Sequence, residues 1–268
     1  MAKIGVVEYT IRHYLQNPVD YKEAHEKLAQ MGVEYIQGGV PKFLSLEEYK
    51  KGLDELGLHN ISAGGQYDDI MADPQAIADK AKFLGTRFVS VATIPIHFRM
   101  RGEEGYKAFA KAMQEKVKFF RAQGLELTYH NHAVEFVNFD SGKRGMDILF
   151  EETEMDLMLD THWVAAGGAD PAAWIKKCKG RIPVVHYKDY GIANVQEQDY
   201  MEMKKVTEIG GVYKRFMEIG CGNLNWPAIV EATKEAGCEL VMIEQDFTHQ
   251  NPFNGLQTSI NNIKSWGI

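Results

Sequence analysis

The stretch KFLGTRFVSVAT, residues 82–93, contains the pattern that decides the fold: a helical run, a glycine and then a short apolar segment. A glycine just past a helix end supplies the left-handed conformation that stops the helix before the next strand. The same signal recurs at AQMGVEY (29–35), DELGLHN (54–60), RAQGLEL (121–127), KCKGRIP (177–183) and KEAGCEL (234–240). This repetition predicts helices and strands that alternate along the chain.

Helix starts are marked as well as helix ends. Ser45 and Glu48 have the spacing of a capping box, and Asp73 and Asp170 each precede a proline at the first helical position. The pattern predicts strands near 4–8, 33–37, 60–64, 87–93, 125–130, 155–160, 182–188 and 240–245, with helices at 20–31, 45–56, 74–84, 103–123, 170–178, 226–236 and 255–265.

Eight strands alternating with helices imply parallel pairing through right-handed crossovers. The apolar runs RFVSVAT, DLMLD, PVVHY and LVMIE suit strands that are buried on both faces. Such units predict an α/β fold, a single (β/α)8 TIM barrel over residues 1–268. An open doubly wound sheet is the alternative, but no GxGxxG follows the first strand. An insertion at about 189–225, between the last two strands, is expected to form a lid or a contact surface.

Charge and composition exclude several classes of partner. The net charge of −7 argues against nucleic acid or an anionic membrane surface. No apolar run approaches the roughly 20 residues that a membrane span requires. Cys178, Cys221 and Cys238 lack CxxC spacing, so we expect buried, reduced thiols in a cytoplasmic protein.

Polar and ionisable side chains follow most of the predicted strands, at the rim where a TIM barrel builds its active site. Buried charges cost several kcal/mol each unless they are paired or bound to a cation. Each of these residues taken alone can be a hydrogen-bonded loop or core residue, but together they indicate a divalent cation, with Mn, Fe, Co, Zn or Mg suiting mixed His and carboxylate ligands. The candidates are Glu8, Gln37, Gln66, His130, His132, Glu135, Asp160, His162, His186, Lys188, Glu244 and Asp246.

Two histidines stand out in LTYHNHAVEF, residues 127–136. In an extended chain His130 and His132 face the same way. Because imidazole titrates near neutral pH, the pair suits metal binding or proton transfer. The alternative is that one ring only orients a metal ligand or satisfies the core.

Five segments, YHNHAVEF, LMLDTHWVAAGGADP, VVHYKDY, MEIGCGNLNW and LVMIEQD, resemble the xylose-isomerase-like sugar isomerase/epimerase superfamily over nearly the whole chain. The resemblance implies a TIM barrel with one divalent cation, usually Mn, with Mg, Co, Fe or Zn as alternatives. It implies Asp160, His186 and Glu244 as metal ligands. Lys188 resembles the lysine that contacts substrate in this superfamily.

The sequence departs from the superfamily at the end of the fifth strand. Ketose epimerases carry a glutamate there, which is a metal ligand and one of two acid/bases; here the residue is His130. The nearest carboxylate, Glu135, is expected to be the fourth ligand. Glu8, Arg99 and Arg101 match no family motif, and we expect exposed or salt-bridged roles for them.

The YHNH pattern looks more like inosose dehydratases and the α-subunits of C-glycoside deglycosidases. In those enzymes an α-proton is removed from a keto sugar and a β-substituent leaves. The resemblance implies His130, His132, Lys188 and Glu244 as catalytic residues. We therefore predict a metal-dependent carbon–oxygen or carbon–carbon lyase acting on a keto sugar, cyclitol ketone or 3-keto-glycoside.

Other functions remain open on the same scaffold. A sugar isomerase or epimerase would use the same metal site. Apurinic endonucleases need ligands for three zincs and a basic groove, neither of which is evident, and a non-catalytic assembly barrel would not need the ligand set. We expect an oligomer, which a deglycosidase would form with a small β-rich second subunit.

Overall fold

The computed structural model describes residues 2–192, 214–248 and 250–268. Nine of its strands form one sheet in which every pairing is parallel, and β9 pairs with β10 separately. The strands are β1 Lys3–Val7, β2 Tyr35–Gln37, β3 His59–Asn60, β4 Ser62–Gly64, β5 Phe88–Val91, β6 Glu126–His130, β7 Asp156–Asp160, β8 Val184–Tyr187, β9 Asp189–Ile192, β10 Lys214–Met217 and β11 Leu240–Ile243.

The sheet closes into a barrel because β3 and β4 are two segments of one bent strand. Its strand order is β3-β2-β1-β11-β8-β7-β6-β5-β4, so β3 and β4 are the two edges. Only Ile61 separates these segments, and the Asn60 side chain accepts a hydrogen bond from the Ser62 backbone at 3.2 Å across the bend. One bent strand thus pairs with β2 on one side and β5 on the other. The predicted TIM barrel is confirmed.

Helices surround the barrel, and the six glycines of the repeated sequence signal all have positive φ, between 67° and 85°. The seven predicted helices are confirmed to within a few residues, whereas the short helices that follow strand ends were not predicted. No helix in the described ranges is long and apolar enough to cross a membrane. The helices are Pro18–Gln30, Leu46–Leu56, Tyr67–Ala72, Pro74–Leu84, Ile96–Arg99, Gly102–Arg121, Gly145–Glu152, Thr161–Ala166, Pro171–Lys177, Trp226–Ala236 and Pro252–Ser265, with 3-10 turns at Glu8–Tyr14 and Ala133–Phe136.

Apolar side chains fill the barrel interior below the candidate site. Met158 lies two residues before Asp160, and Val184 two before His186, so these pairs face the same way along their strands. The interior cluster consists of Val7, Ile61, Phe88, Met158, Val184, Leu240 and Met242. The polar side chains of the candidate site therefore lie above this apolar cluster, at the carboxyl ends of the strands.

Most of the predicted insertion, residues 193–213, lies outside the described residues. Its flanks β9 and β10 pair as an antiparallel ribbon, from Ile192↔Lys214 to Asp189↔Met217. The buried carboxylate of Asp189 accepts hydrogen bonds from Gly220 N at 3.0 Å, Gly222 N at 2.9 Å and Trp226 Nε1 at 2.6 Å. These bonds fix the ribbon and the following loop against the barrel.

Candidate metal centre and active site

Four buried side chains from adjacent strand ends form a cluster that can bind a metal ion. His130 ends β6, Asp160 ends β7 and pairs in register with His186 of β8, and Glu244 directly follows β11. One nitrogen or oxygen from each lies within 4.8 Å of the others. Nitrogen and oxygen donors in this number suit a hard or borderline divalent cation.

Two atoms of this cluster have unmet bonding capacity. His130 Nδ1 and Asp160 Oδ2 are buried and have no hydrogen-bond partner among the described residues. Buried polar atoms are nearly always partnered in folded proteins. Two candidate ligand atoms that lack a hydrogen bond in one cluster therefore fit a bound cation.

The charges around the cluster are also unbalanced. Lys188 Nζ lies 2.6 Å from Asp246 Oδ1, 3.4 Å from Glu244 Oε1 and 3.8 Å from Asp160 Oδ2. Three carboxylates and one ammonium leave a formal charge of about −2, which a divalent ion would neutralise. Consistent with this excess, burial raises the pKa of Asp160 well above its usual range, although Lys188 opposes the shift.

The neighbours of Glu244 and Lys188 favour the charged forms of both groups. Burial opposes ionisation of Glu244, but the hydrogen bond to His186 and the charge of Lys188 hold its pKa well below the usual range. Burial likewise opposes the charge on Lys188, yet Glu244, Asp160 and Asp246 raise the lysine pKa. Lys188 is therefore a buried ammonium with donors directed at this rim.

Gln37, at the end of β2, sets the orientation of His186. Its Oε1 lies 2.8 Å from His186 Nε2, while its Nε2 donates to the sulfur of Met158 at 3.6 Å. An amide oxygen only accepts, so His186 Nε2 carries the proton. His186 Nδ1 lies 2.8 Å from Glu244 Oε2, so these two atoms share a proton that a bound ion would replace. With an ion bound, the proton on Nε2 stays and the Nδ1 lone pair is the metal donor. This is the tautomer that a metal ligand requires at Nδ1.

The structure confirms that His130 and His132 lie on one side of the chain. Their ring centroids are 5.0 Å apart, and His130 also lies 4.5 Å from the His186 ring. His132 is half-buried and packs 5.5 Å from Trp163. Burial lowers the pKa of both imidazoles, that of His130 well below its usual range. Both rings are neutral at neutral pH, as a ligand or a base must be.

Glu135 does not reach the cluster, which corrects its expected role as a metal ligand. Its Oε1 accepts from the Tyr129 hydroxyl at 2.6 Å and its Oε2 from the His132 backbone at 2.7 Å. Tyr129 points to the opposite face of β6 from His130, because alternate residues of a strand do so. Glu135 therefore caps the turn that carries His132, and His130 takes the fourth position in the cluster.

Aromatic rings that sequence reasoning did not single out cover the site. Lys188 Nζ lies 4.9 Å from the Trp163 ring centroid and 5.3 Å from that of Phe216. Phe216, on β10, also lies 4.9 Å from the ring of the candidate residue His162. Phe216 belongs to the described flank of the insertion at about 189–225, which was expected to form a lid or a contact surface.

A cleft of about 610 Å³ opens beside the cluster, over the carboxyl ends of β1, β2, β4 and β5. Its lining includes Gln37, which contacts His186, and the candidates Glu8 and Gln66. Glu8 is buried and salt-bridged to His25, whereas Arg99 is half-buried and Arg101 is exposed. Gln37 therefore connects the wall of this cleft to the cluster.

The barrel and its rim define the class of protein. The xylose isomerase-like TIM barrel family matches residues 25–266, and the chain belongs to that family. The curated relatives include inosose dehydratase from Lacticaseibacillus casei, 26% identical over 137 residues, which are 50% of this chain and 45% of the relative. The alignment spans about half the length of such relatives.

Solved structures share the fold across nearly the full chain. A sugar phosphate isomerase/epimerase from Parabacteroides distasonis superposes with a TM-score of 0.75 at 20% identity, covering 97% of this chain and 92% of its own. The IOLI protein, solved with a zinc atom bound, gives a TM-score of 0.69 at 16% identity and covers 98% of this chain and 97% of its own. At these identities the likeness shows the fold.

Proposed function

We propose that this chain is a divalent-metal-dependent lyase that removes an α-proton from a keto sugar, a cyclitol ketone or a 3-keto-glycoside and eliminates the β-substituent. The observation that carries the proposal is the pair of adjacent imidazoles at the end of β6: His130 joins the candidate metal cluster, and the ring of half-buried His132 lies 5.0 Å from that of His130. The similarity to inosose dehydratases supports a dehydration.

His130, Asp160, His186 and Glu244 would hold the cation, with Mn preferred and Mg, Co, Fe or Zn as alternatives. When bound, a divalent ion polarises a carbonyl and stabilises the negative charge that develops on its oxygen. The IOLI structure, which has the same fold, contains a zinc atom, and this supports a metal-binding role for a protein of this fold.

Three side chains around the cluster have separate roles in the proposed reaction. A ring nitrogen of neutral His132 takes the proton from the carbon next to the carbonyl, and the electron pair of that C–H bond passes into the new double bond as the β-substituent leaves. Lys188 donates a hydrogen bond to the substrate oxygen that gains charge. Trp163 and Phe216 exclude water from this step.

A sugar isomerase or epimerase is the second candidate. Glu244 keeps a carboxylate at the rim, and the structural neighbour from Parabacteroides distasonis is named as such an enzyme. In this reaction the proton taken from one carbon returns to the substrate, so the product has the same mass. A C-glycoside substrate would instead add the requirement for a second subunit.

A substrate panel tests the proposal. Purified protein loaded with Mn should be incubated with 2-keto-myo-inositol, 3-keto-C-glucosides, 3-keto-O-glucosides and free ketoses, and the products analysed by mass and stereochemistry. A product that has lost water or an aglycone supports the lyase. If a free ketose instead gives an isomer of unchanged mass, the protein is an isomerase or epimerase and the lyase proposal is wrong.

A further inference from the structure

Glu8 occupies an unusual position for a carboxylate that belongs to no predicted motif. It directly follows β1, whose Val7 pairs in register with Gln37 of β2, so Glu8 lies beside Gly38. The residue is only 5% exposed, yet it lines the same cleft as Gln37. One wall of the cleft therefore carries Glu8 close to the residue that orients His186.

A buried histidine fixes the carboxylate. His25 Nε2 lies 2.7 Å from Glu8 Oε1, and His25 Nδ1 lies 2.8 Å from the Tyr21 carbonyl oxygen. Because a carbonyl only accepts, Nδ1 carries a proton and Nε2 faces Glu8 across a shared proton. The helix that carries His25 thus holds Glu8 Oε1 and leaves Oε2 for another partner.

A glycine clears space for the second oxygen. A Cβ on Gly38 would overlap Glu8 Oε2, so no larger residue fits there while Glu8 keeps its position. Asn60 Nδ2 holds the Gly38 carbonyl at 2.9 Å and the Tyr49 hydroxyl at 2.8 Å. Gly38 therefore lets the Glu8 carboxylate lie directly against the end of β2 at the cleft wall.

The charges of the cleft suit hydroxyl groups better than phosphate. Among the described lining residues the charged ones are Glu8, Arg12 and Asp69. Arg12 keeps its charge, but its Nη1 donates to the Tyr9 carbonyl at 2.9 Å and its guanidinium stacks 4.2 Å from the Tyr9 ring, so the lining carries two carboxylates against one cation. Carboxylates accept hydrogen bonds from hydroxyls and repel phosphate dianions.

We propose that Glu8 is a substrate-binding residue that accepts hydrogen bonds from the hydroxyl groups of an uncharged polyol and selects against phosphate esters. The inference rests on the proposed function, because it assigns the remote end of the same substrate. The inference predicts that this cleft binds an uncharged polyol and does not bind a sugar phosphate.

The test compares binding rather than turnover. Calorimetry on the Mn-loaded chain should measure 2-keto-myo-inositol, fructose and fructose 6-phosphate with the wild type and with Glu8→Gln. The wild type should bind the neutral ligands more tightly than the phosphate ester. Glu8→Gln should weaken the binding of the neutral ligands about tenfold or more, which corresponds to the loss of a hydrogen bond to a charged group. The difference in affinity between fructose and fructose 6-phosphate should become smaller.

Matched variants separate binding from folding. Glu126→Gln makes the same charge change at the opposite end of the barrel, in a surface pair with Arg87, and should bind like the wild type. His25→Gln keeps the carboxylate and should lose less affinity than Glu8→Gln. Unchanged binding in Glu8→Gln, or equal binding of fructose and its phosphate by the wild type, would overturn the inference. Failure of the proposed function would give a different result. Binding of the neutral ligands would still depend on Glu8, but the protein would not exchange the α-hydrogen of the ligand.

Discussion

His130 and His132 share a strand end but have different surroundings, and these surroundings assign their roles. His130 is buried against His186 with Nδ1 unpartnered in the described structure, which suits a metal ligand. His132 is half-buried beside Trp163, which suits a base that meets substrate. The sequence predicted both histidines as functional but could not divide the two roles, since that division depends on neighbours from other strands.

Glu135 shows a limit of sequence reasoning at the same scale. The residue was expected to be a ligand because it is the carboxylate nearest to His130. Its bonds to Tyr129 and the His132 backbone exist only because the chain turns after β6. A 3-10 turn of four residues leaves no periodic signal from which this could be predicted.

The buried carboxyl of Glu135 should make stability depend on pH. Burial raises its pKa to about 7 from the usual 4.5, so the folded state holds the proton more tightly than the unfolded state. Its stabilising contribution is complete below pH 4.5 and is lost as the pH rises to 7. At about 1.4 kcal/mol per pKa unit, the loss is roughly 3 kcal/mol.

Glu135→Gln should remove this dependence. Urea unfolding between pH 5 and 8 should show the variant gaining stability relative to the wild type as the pH rises. Glu154→Gln, an exposed glutamate paired with Arg121, is the control and should run parallel to the wild type. A constant difference between Glu135→Gln and the wild type would contradict the assigned cause.

At the scale of elements, the glycines and caps were predictable and the short segments at the rim were not. Gly85 and its five counterparts end helices as expected, because one residue with positive φ decides where a helix stops. The helix Thr161–Ala166 is too short to show a period, and the β9–β10 ribbon is fixed by Asp189 contacts with a later loop. Such contacts are invisible in a local pattern.

Strand β2 contacts the candidate metal centre although it supplies none of the four candidate ligands. Gln37→Leu should weaken Mn binding about 10- to 100-fold, because His186 would lose the acceptor that fixes its tautomer. Equilibrium titration with Mn measures this effect directly. Gln66→Leu changes the same type of side chain elsewhere in the cleft and should bind Mn as the wild type does. Equal affinities for all three proteins would show that Gln37 does not position His186.

At the scale of the whole molecule, four strand ends of the barrel each contribute one side chain to the cluster. A bound cation should therefore stabilise the complete fold. A ligand that binds only the folded state adds about 2.7 kcal/mol at 100 times its Kd. Mn should therefore raise the thermal midpoint of the wild type. Asp160→Asn, which removes one ligand, should show no such rise while still folding; an equal rise in both proteins would place the metal elsewhere.

The fold was predictable as a whole because it repeats. Each helix–glycine–strand unit carries the same local signal, and eight such units have few ways to bury their strands. The contact between Gln37 and His186 depends on a pair distant in sequence, and the local bend at Asn60 that closes the barrel occurs once and follows no repeated pattern. Asp160, His186 and Glu244 could be predicted as candidates because they lie at strand ends, whereas Trp163 and Phe216 were not predicted as neighbours of the cluster because aromatic residues usually indicate core.

The most direct test of the account is hydrogen exchange at the substrate α-carbon. Mn-loaded wild type should incorporate deuterium from D2O into 2-keto-myo-inositol or its product. His132→Asn should lose this exchange by about 10²- to 10⁴-fold with Mn content unchanged. His130→Asn should instead lose the metal. Undiminished exchange in a metal-replete His132→Asn protein would contradict the account and would make Glu244 the candidate base.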